Sequence, residues 1–412
     1  MRPLDEIRHL FSLLMDWHGD QLVPAEFAVV CYASMFLSGC RERTWGDLLG
    51  PPSIGKTEII RVFDDKVEAT GQERRTILRG DFTENAFASA YRDENNPGDD
   101  KSLLYLLSWD REPRGPKFFC LPELTTVLES GKERARRLYS QLRAAFDDMW
   151  RQQAGNLGAV AYNLGFGMLT ACTEKLDDFR KYNQALGERT VICRIGADLT
   201  KYNTRFEVAL HALRQDPREK EVLREKLRSL VLETIERVSP TLSDPQFSVE
   251  QTDEFQTKLA HLGTIATAIR TTPVSDRLYT SVPEGAPRFV NQLRTWGDAR
   301  VGFDGRRMWN SEDFRLICRI AHDTMPPEFM RVLRFLWAEP GRGRTFEEIR
   351  AGSYCDESIH RQLRQWLICE VLMESAGLYR LSNEALNAFR ITSLMDQPIT
   401  NVFEVKSREL QP

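Results

Sequence analysis

Residues 48–60, LLGPPSIGKTEII, constrain this chain more than any other stretch. Gly50 is followed by four intervening residues and then by Gly55, Lys56 and Thr57. A GxxxxGK[ST] run has a physical role in one setting. An apolar strand delivers the chain to a loop, and glycines let that backbone wrap closely around a phosphate chain. The amides point inward where a helix starts, the lysine meets the β/γ oxygens, and the hydroxyl holds magnesium. Both flanks suit that setting, because "TWGDLLG" reads as a short strand and "EIIRVFDDKV" as a helix. The pattern implies an ATP site lined by Gly50, Pro51, Pro52, Ser53, Ile54, Gly55, Lys56, Thr57 and Glu58, with Thr57 on Mg2+.

Such a loop needs a parallel sheet behind it. Four further segments read as buried strands bounded by turn signals: 76–82 (TILRGDF), 117–123 (KFFCLPE), 167–173 (GMLTACT) and 190–195 (TVICRI). Helical stretches separate them, notably Ala135–Gln153, and strand–helix alternation argues for a parallel α/β sheet. Between Leu4 and Leu37 apolar residues recur at helical spacing, which predicts two amphipathic helices. From Thr204 to Arg300 the pattern is helical and highly charged, as on a solvated helix surface.

At 412 residues the chain is long enough for two or three domains. Its net charge of -4 supplies no global basic field, so any nucleic-acid contact must come from local patches. The eight cysteines form no CxxC pair and several sit in apolar runs, and the six histidines show no zinc spacing. The first ten residues carry charges throughout, and Phe27–Leu37, the longest apolar stretch, is about half a membrane span. A cytoplasmic protein without a membrane segment is expected.

A phosphate loop turns nothing over without an acid that places magnesium or water. Glu123 ends the apolar run KFFCLPE and is the first candidate for both roles, with Glu58, Asp81 and Glu84 as weaker alternatives; a helix cap is its bland reading. In "GMLTACTE" the strand ends on Thr173, suited to sensing the γ-phosphate or equally to a backbone-satisfied buried threonine. In "LGERTVICRI" an arginine precedes a strand, where a charge can reach a neighbouring subunit's nucleotide. Arg189 is the first choice, Arg194 the second, and a surface salt bridge the alternative.

Taken in order, "GPPSIGKTE", "LPELTTVL", "YSQLRAAFDDMW", "LTACTE" and "LGERTVICRI" resemble the AAA+ ATPases of prophages and mobile elements, themselves similar to minichromosome-maintenance helicases. The resemblance spans roughly residues 20 to 340. It implies a β-hairpin within Arg143–Gly165 that faces the pore of a hexamer and grips DNA, and a second sensor, Arg288, opening a helix of the lid. The chain departs from the family in two places. Pro122 stands where the first acid of an Asp–Glu pair is usual, and no aromatic follows the arginine in "GERTV".

After Pro327, "PEFMRVLRFLWAE", "TFEEIRAG" and "DESIHRQLRQWLICEVL" read as three helices, and "MESAGLYRLS" as a hairpin. Together they read as a winged helix in which His360, Arg361 and Arg364 project towards a major groove and Arg342, Arg344 and Arg380 reach phosphates, with protein docking as the alternative use because Glu370 and Glu374 dilute the basic face. The expected fold is therefore α/β, with an N-terminal helical segment (1–40), an AAA+ P-loop core (41–203), a helical lid or linker (204–326), a winged helix (327–395) and a tail (396–412). The expected activity is that of a ring-forming DNA helicase, translocase or remodeller from a phage or mobile element. The alternative is a nucleotide-switched loader, initiator-like scaffold or anti-phage ATPase. A small-molecule kinase would leave the lid and winged helix without use.

Overall fold

The computed structural model describes residues 2–39, 43–65, 75–80, 102–147, 151–154, 158–183, 189–196, 202–271, 285–355 and 359–397. Helices α1 (Pro3–Met15) and α2 (Val23–Ser34) precede strand β1 (Trp45–Leu49) and helix α3 (Lys56–Arg61). Then come β2 (Thr76–Leu78), α4 (Leu103–Leu106), β3 (Lys117–Leu121), α5 (Leu124–Glu129) and α6 (Lys132–Phe146). Strands β4 (Arg151–Ala154), β5 (Gly158–Ala161) and β6 (Phe166–Cys172), helix α7 (Lys175–Asn183) and strand β7 (Thr190–Arg194) complete the first part.

The central sheet has the order β2-β3-β6-β1-β7, and every pairing is parallel. Its strands alternate between two apolar cores. Phe118, Cys120, Leu169 and Ala171 face one, while Phe119, Leu121, Met168 and Cys172 face the other. A parallel sheet buried on both faces reads in sequence as continuous apolar runs, which is why these strands were legible. The architecture is α/β and consistent with a P-loop ATPase core.

Helix α5 and helix α6 cover one face. The other face departs from expectation, because α2 is not amphipathic: all of its residues are buried. It is held between the sheet and the later helix Ala286–Phe303, and approaches β1 so closely that a Cβ on Gly46 would lie 2.8 Å from the Phe27 ring. Its one charge, Glu26, is paired with Arg8 and Arg300, both at 2.5 Å. The expected helix Ala135–Gln153 also ends early, at Phe146. There the Phe146 ring packs edge-on against Trp45 at 4.8 Å. Beyond it, β4 and β5 pair antiparallel as a hairpin whose tip, 155–157, lies outside the described residues.

Five helices follow: α8 (Tyr202–Arg214), α9 (Pro217–Ser243), α10 (Asp253–Arg270), α11 (Ala286–Phe303) and α12 (Ser311–Thr324). Much of α9 is exposed as its charge pattern predicts, and Leu227, Val231, Ile235 and Leu242 form its buried side. Helix α12 runs beside β7 and supplies side-chain acceptors to it. The Ile192 N–H donates to Thr324 Oγ1 at 2.9 Å and the Arg194 N–H to Asp323 Oδ2 at 2.9 Å. Burial alone would raise the Asp323 carboxyl, but Arg319, His322 and the Arg194 amide outweigh it and hold it below the ordinary value.

The C-terminal elements are α13 (Pro327–Trp337), α14 (Phe346–Ser353), α15 (Ile359–Ile368), the antiparallel strands β8 (Leu372–Ser375) and β9 (Leu378–Leu381), and α16 (Asn383–Thr392). Ala376 and Gly377 turn the hairpin with φ of 53° and 76°, as a tight two-residue turn requires. Arg344 bridges to Tyr379 and lengthens this small sheet. Helix α15 caps the end of α10: Gln362 Nε2 donates to the Thr271 carbonyl and Trp366 Nε1 to the Ile269 carbonyl, each at 2.9 Å. Among the described residues no helix is long and apolar enough to cross a membrane.

Candidate functional site

β1 ends at Leu49, and the chain turns into the glycine-rich loop at the C-terminal edge of the sheet. The Gly50 N–H donates to the Cys172 carbonyl at 3.2 Å, which fixes the loop's first residue against the end of β6. Gly55 has φ +95°, a left-handed backbone conformation that favours glycine. Ser53 also lies in the left-handed region, at φ 63°. Lys56 opens α3, is 8% exposed, and donates from Nζ to the carbonyls of Gly50 and Pro51, both at 2.6 Å. Burial pulls its ammonium below the ordinary lysine value, while the charges of Glu123 and Glu174 act in the opposite direction. Thr57 follows with its side chain exposed.

Glu123 leaves the end of β3 exposed and stands at the N-cap position of α5, yet its side chain makes no capping bond. The cap reading is therefore not what this side chain does. Thr173, just past β6, donates its N–H to Thr125 Oγ1 at 3.2 Å, and the two hydroxyl oxygens lie 3.4 Å apart. Thr125 ties the acid-bearing helix to the end of β6; nothing in its sequence surroundings signalled it. Glu174 was also missed, although its place directly after Thr173 was a usable signal.

The remaining candidates sit elsewhere. Glu58 accepts Arg224 of α9 at 2.8 and 2.9 Å, so its carboxylate joins α3 to α9 instead of standing ready as a base. Asp81 and Glu84 lie outside the described residues. Arg189 precedes β7 at the opposite end of the sheet, since Thr190 is in register with Trp45 and Arg194 with Leu49. Five strand residues separate it from the loop level, roughly 16 Å at 3.3 Å each. It is 7% exposed, donates to Asp147 Oδ2 at 2.8 Å and lies near the Phe146 ring. Arg194 is beside the loop but held by Asp177 in a two-pronged pair at 2.7 and 2.8 Å. Half-buried Arg288 lies in the first turn of α11.

On the C-terminal elements Arg361 and Arg364 are exposed on one side of α15, with Ile359, Leu363 and Trp366 buried on the other. Arg344 does not reach outward as expected. It is 8% exposed, paired with Glu339 at 3.0 Å and stacked on Phe335 at 4.9 Å. Arg342 is paired with Glu339 and Glu348.

The glycine-rich loop is thus delivered by the second strand from the edge of a parallel sheet, with Glu174 just past the adjacent strand β6 and Glu123 just past β3, one strand further. No protein-family model and no curated protein matches the chain. Two solved structures are similar in overall course. One is a full-length MCM homolog from Methanopyrus kandleri, 14% identical, covering 79% of this chain and 62% of the other, with a TM-score of 0.42. The second is a predicted ATPase from Cytophaga hutchinsonii, 12% identical, covering 78% of this chain and 88% of that one, with a TM-score of 0.43. The chain thus spans less than two thirds of the first relative's length. At these identities neither transfers an activity to it.

Proposed function

We propose that this chain binds and hydrolyses ATP as a P-loop ATPase of the AAA+ type. The observation that carries the reading is the loop between β1 and α3, which sets buried Lys56 at the edge of a parallel sheet with Glu123 and Glu174 bearing on it. The loop backbone and Lys56 bind the triphosphate. Glu123 accepts a proton from the attacking water, and Thr173, held by Thr125, orients that water or senses the γ-phosphate. Magnesium fits this chemistry: exposed Thr57 and Glu123 are oxygen donors suited to it, and when bound it neutralises charge on the phosphates. Arg288 serves as second sensor. Arg189, too far along the sheet to meet its own loop, acts on a neighbour's nucleotide in an assembly, taken as a hexamer.

Within this reading 41–203 is the ATPase core, 204–326 the lid, and 327–395 a winged helix. Three helices, a hairpin and the Arg344–Tyr379 bridge support the last of these. DNA is the proposed partner, gripped by the β4–β5 hairpin and by Arg361 and Arg364, and the chain is proposed to move along or remodel DNA for a phage or mobile element. A nucleotide-switched loader, scaffold or anti-phage ATPase is the second reading. It is favoured by Pro122 in place of an acid and by the pairing of Arg189 with Asp147.

The test is Lys56→Ala, which removes the cation that the loop motif itself carries. Nucleotide affinity and turnover are expected to be lost in a variant whose thermal melt matches wild type. A folded variant with wild-type turnover would end this reading.

A further inference from the structure

Glu123 ends β3, and β3 is not adjacent to β1, because β6 lies between them. Residues leaving β6 are therefore closer in the sheet to the glycine-rich loop than Glu123 is. The end of β6 is also fixed there. The Cys172 carbonyl holds the Gly50 N–H, and Thr173 is turned towards α5 by its two contacts with Thr125. Glu174 comes next. It is half-buried, and among the described residues its carboxylate forms neither an ion pair nor a hydrogen bond. Half-burying an ionised carboxylate without a partner is costly. Arg194 lies within its field but donates instead to both oxygens of Asp177 and to the Asp323 carbonyl. Glu174 bears also upon Lys56, as does Glu123.

We propose that Glu174 is the second carboxylate of this site and holds, with Thr57 and Glu123, the divalent cation that accompanies the nucleotide. It takes the place that Pro122 leaves without an acid. Magnesium is commonly bound through one or two carboxylates, a hydroxyl, waters and phosphate oxygens, and this chain then supplies its share from β1–α3, β3 and β6. The proposal rests on the nucleotide reading above.

Binding of a fluorescent non-hydrolysable ATP analogue is measured across a MgCl2 titration and also with EDTA, for wild type, Glu174→Gln and Glu174→Asp. Glu174→Gln is expected to raise the half-saturating magnesium concentration about tenfold, the lower end of what losing a partner at a metal site costs. Its affinity in EDTA should be unchanged or tighter, because a negative charge near the triphosphate is gone. Glu174→Asp should restore most of the magnesium response. Glu174→Gln with the wild-type magnesium requirement overturns the proposal, as does an equal loss of affinity with and without magnesium, which marks a structural role. If Lys56→Ala bound the analogue like wild type, the nucleotide reading would fall and this proposal with it. A wild-type magnesium requirement in Glu174→Gln alone removes only Glu174.

Discussion

Asp298 should be a liability whose removal stabilises the protein. It lies on α11, and its Oδ1 accepts Gln251 Nε2 at 2.9 Å and Trp309 Nε1 at 2.8 Å, while exposed Arg294 is 3.5 Å from Oδ2. Burial pushes its carboxyl from 3.8 up to about 6, against those hydrogen bonds and the Arg294 charge. The folded chain therefore holds this proton more tightly than the unfolded chain. The resulting stability is complete below pH 3.8 and is lost as pH rises through about 6. A difference of about two pH units, at about 1.4 kcal/mol each, gives ~3 kcal/mol of cost to the ionised side chain above pH 7. Asp298→Asn keeps Oδ1 as acceptor for both donors and carries no charge. Its new amide needs a partner, so the expected gain is about 1–2 kcal/mol at pH 7.5. Urea denaturation at pH 7.5 and pH 4 measures it. The gain should be present at the first pH and absent at the second. A variant no more stable at pH 7.5, or equally stabilised at pH 4, would refute the assignment of cost to the buried charge.

Glu123→Gln should keep nucleotide binding and lower steady-state turnover by about 10²–10⁴-fold, the usual share of a general base; unchanged turnover would move that role to another acid. Arg189→Ala should cost about 10³-fold or more in turnover in the assembled protein. Mixing it with Lys56→Ala subunits should restore part of the rate, and no recovery in confirmed mixed assemblies would mean that Arg189 acts only on its own chain, through Asp147. Changing Arg361 and Arg364 together to alanine should weaken DNA binding and lower the log–log salt slope by about one per lost phosphate contact, with ATP binding intact. An unaltered slope would make α15 a protein-docking surface.

The parts of this fold that the sequence made legible are those whose causes are local. β1, β3, β6 and β7 announce themselves because a strand buried on both faces needs apolar residues in succession. The C-terminal hairpin does so because Ala376-Gly377 interrupts two short alternating runs. What was not legible depends on distant partners. Apolar spacing made α2 read as one-sided, yet all of it is buried, and the charge of Glu26 is met by Arg8 and by Arg300, 274 residues away. Residues 311–324, within the expected helical lid or linker, carry Asp313, Arg319, His322 and Asp323, whose burial nothing local signals. In the fold all four are buried, Asp313 against Arg300 and Arg306, and Asp323 against Arg319 and the β7 backbone. The candidate site divides in the same way. Lys56 and Glu123 follow from strand ends, whereas the hold of Thr125 on Thr173 and the nearness of Glu174 to the loop follow from strand order, which no single segment encodes.

The amides of Ile192 and Arg194 that point away from the sheet are taken up by Thr324 and Asp323. An open strand margin is a template on which a second polypeptide can zip by main-chain bonding, a route to associations that are hard to undo. Along β7 that route is closed by the chain's own α12. Another subunit approaching there meets helical side chains and not a backbone ladder. Its grip then depends on charge and fit, so salt or a single charge reversal can loosen it.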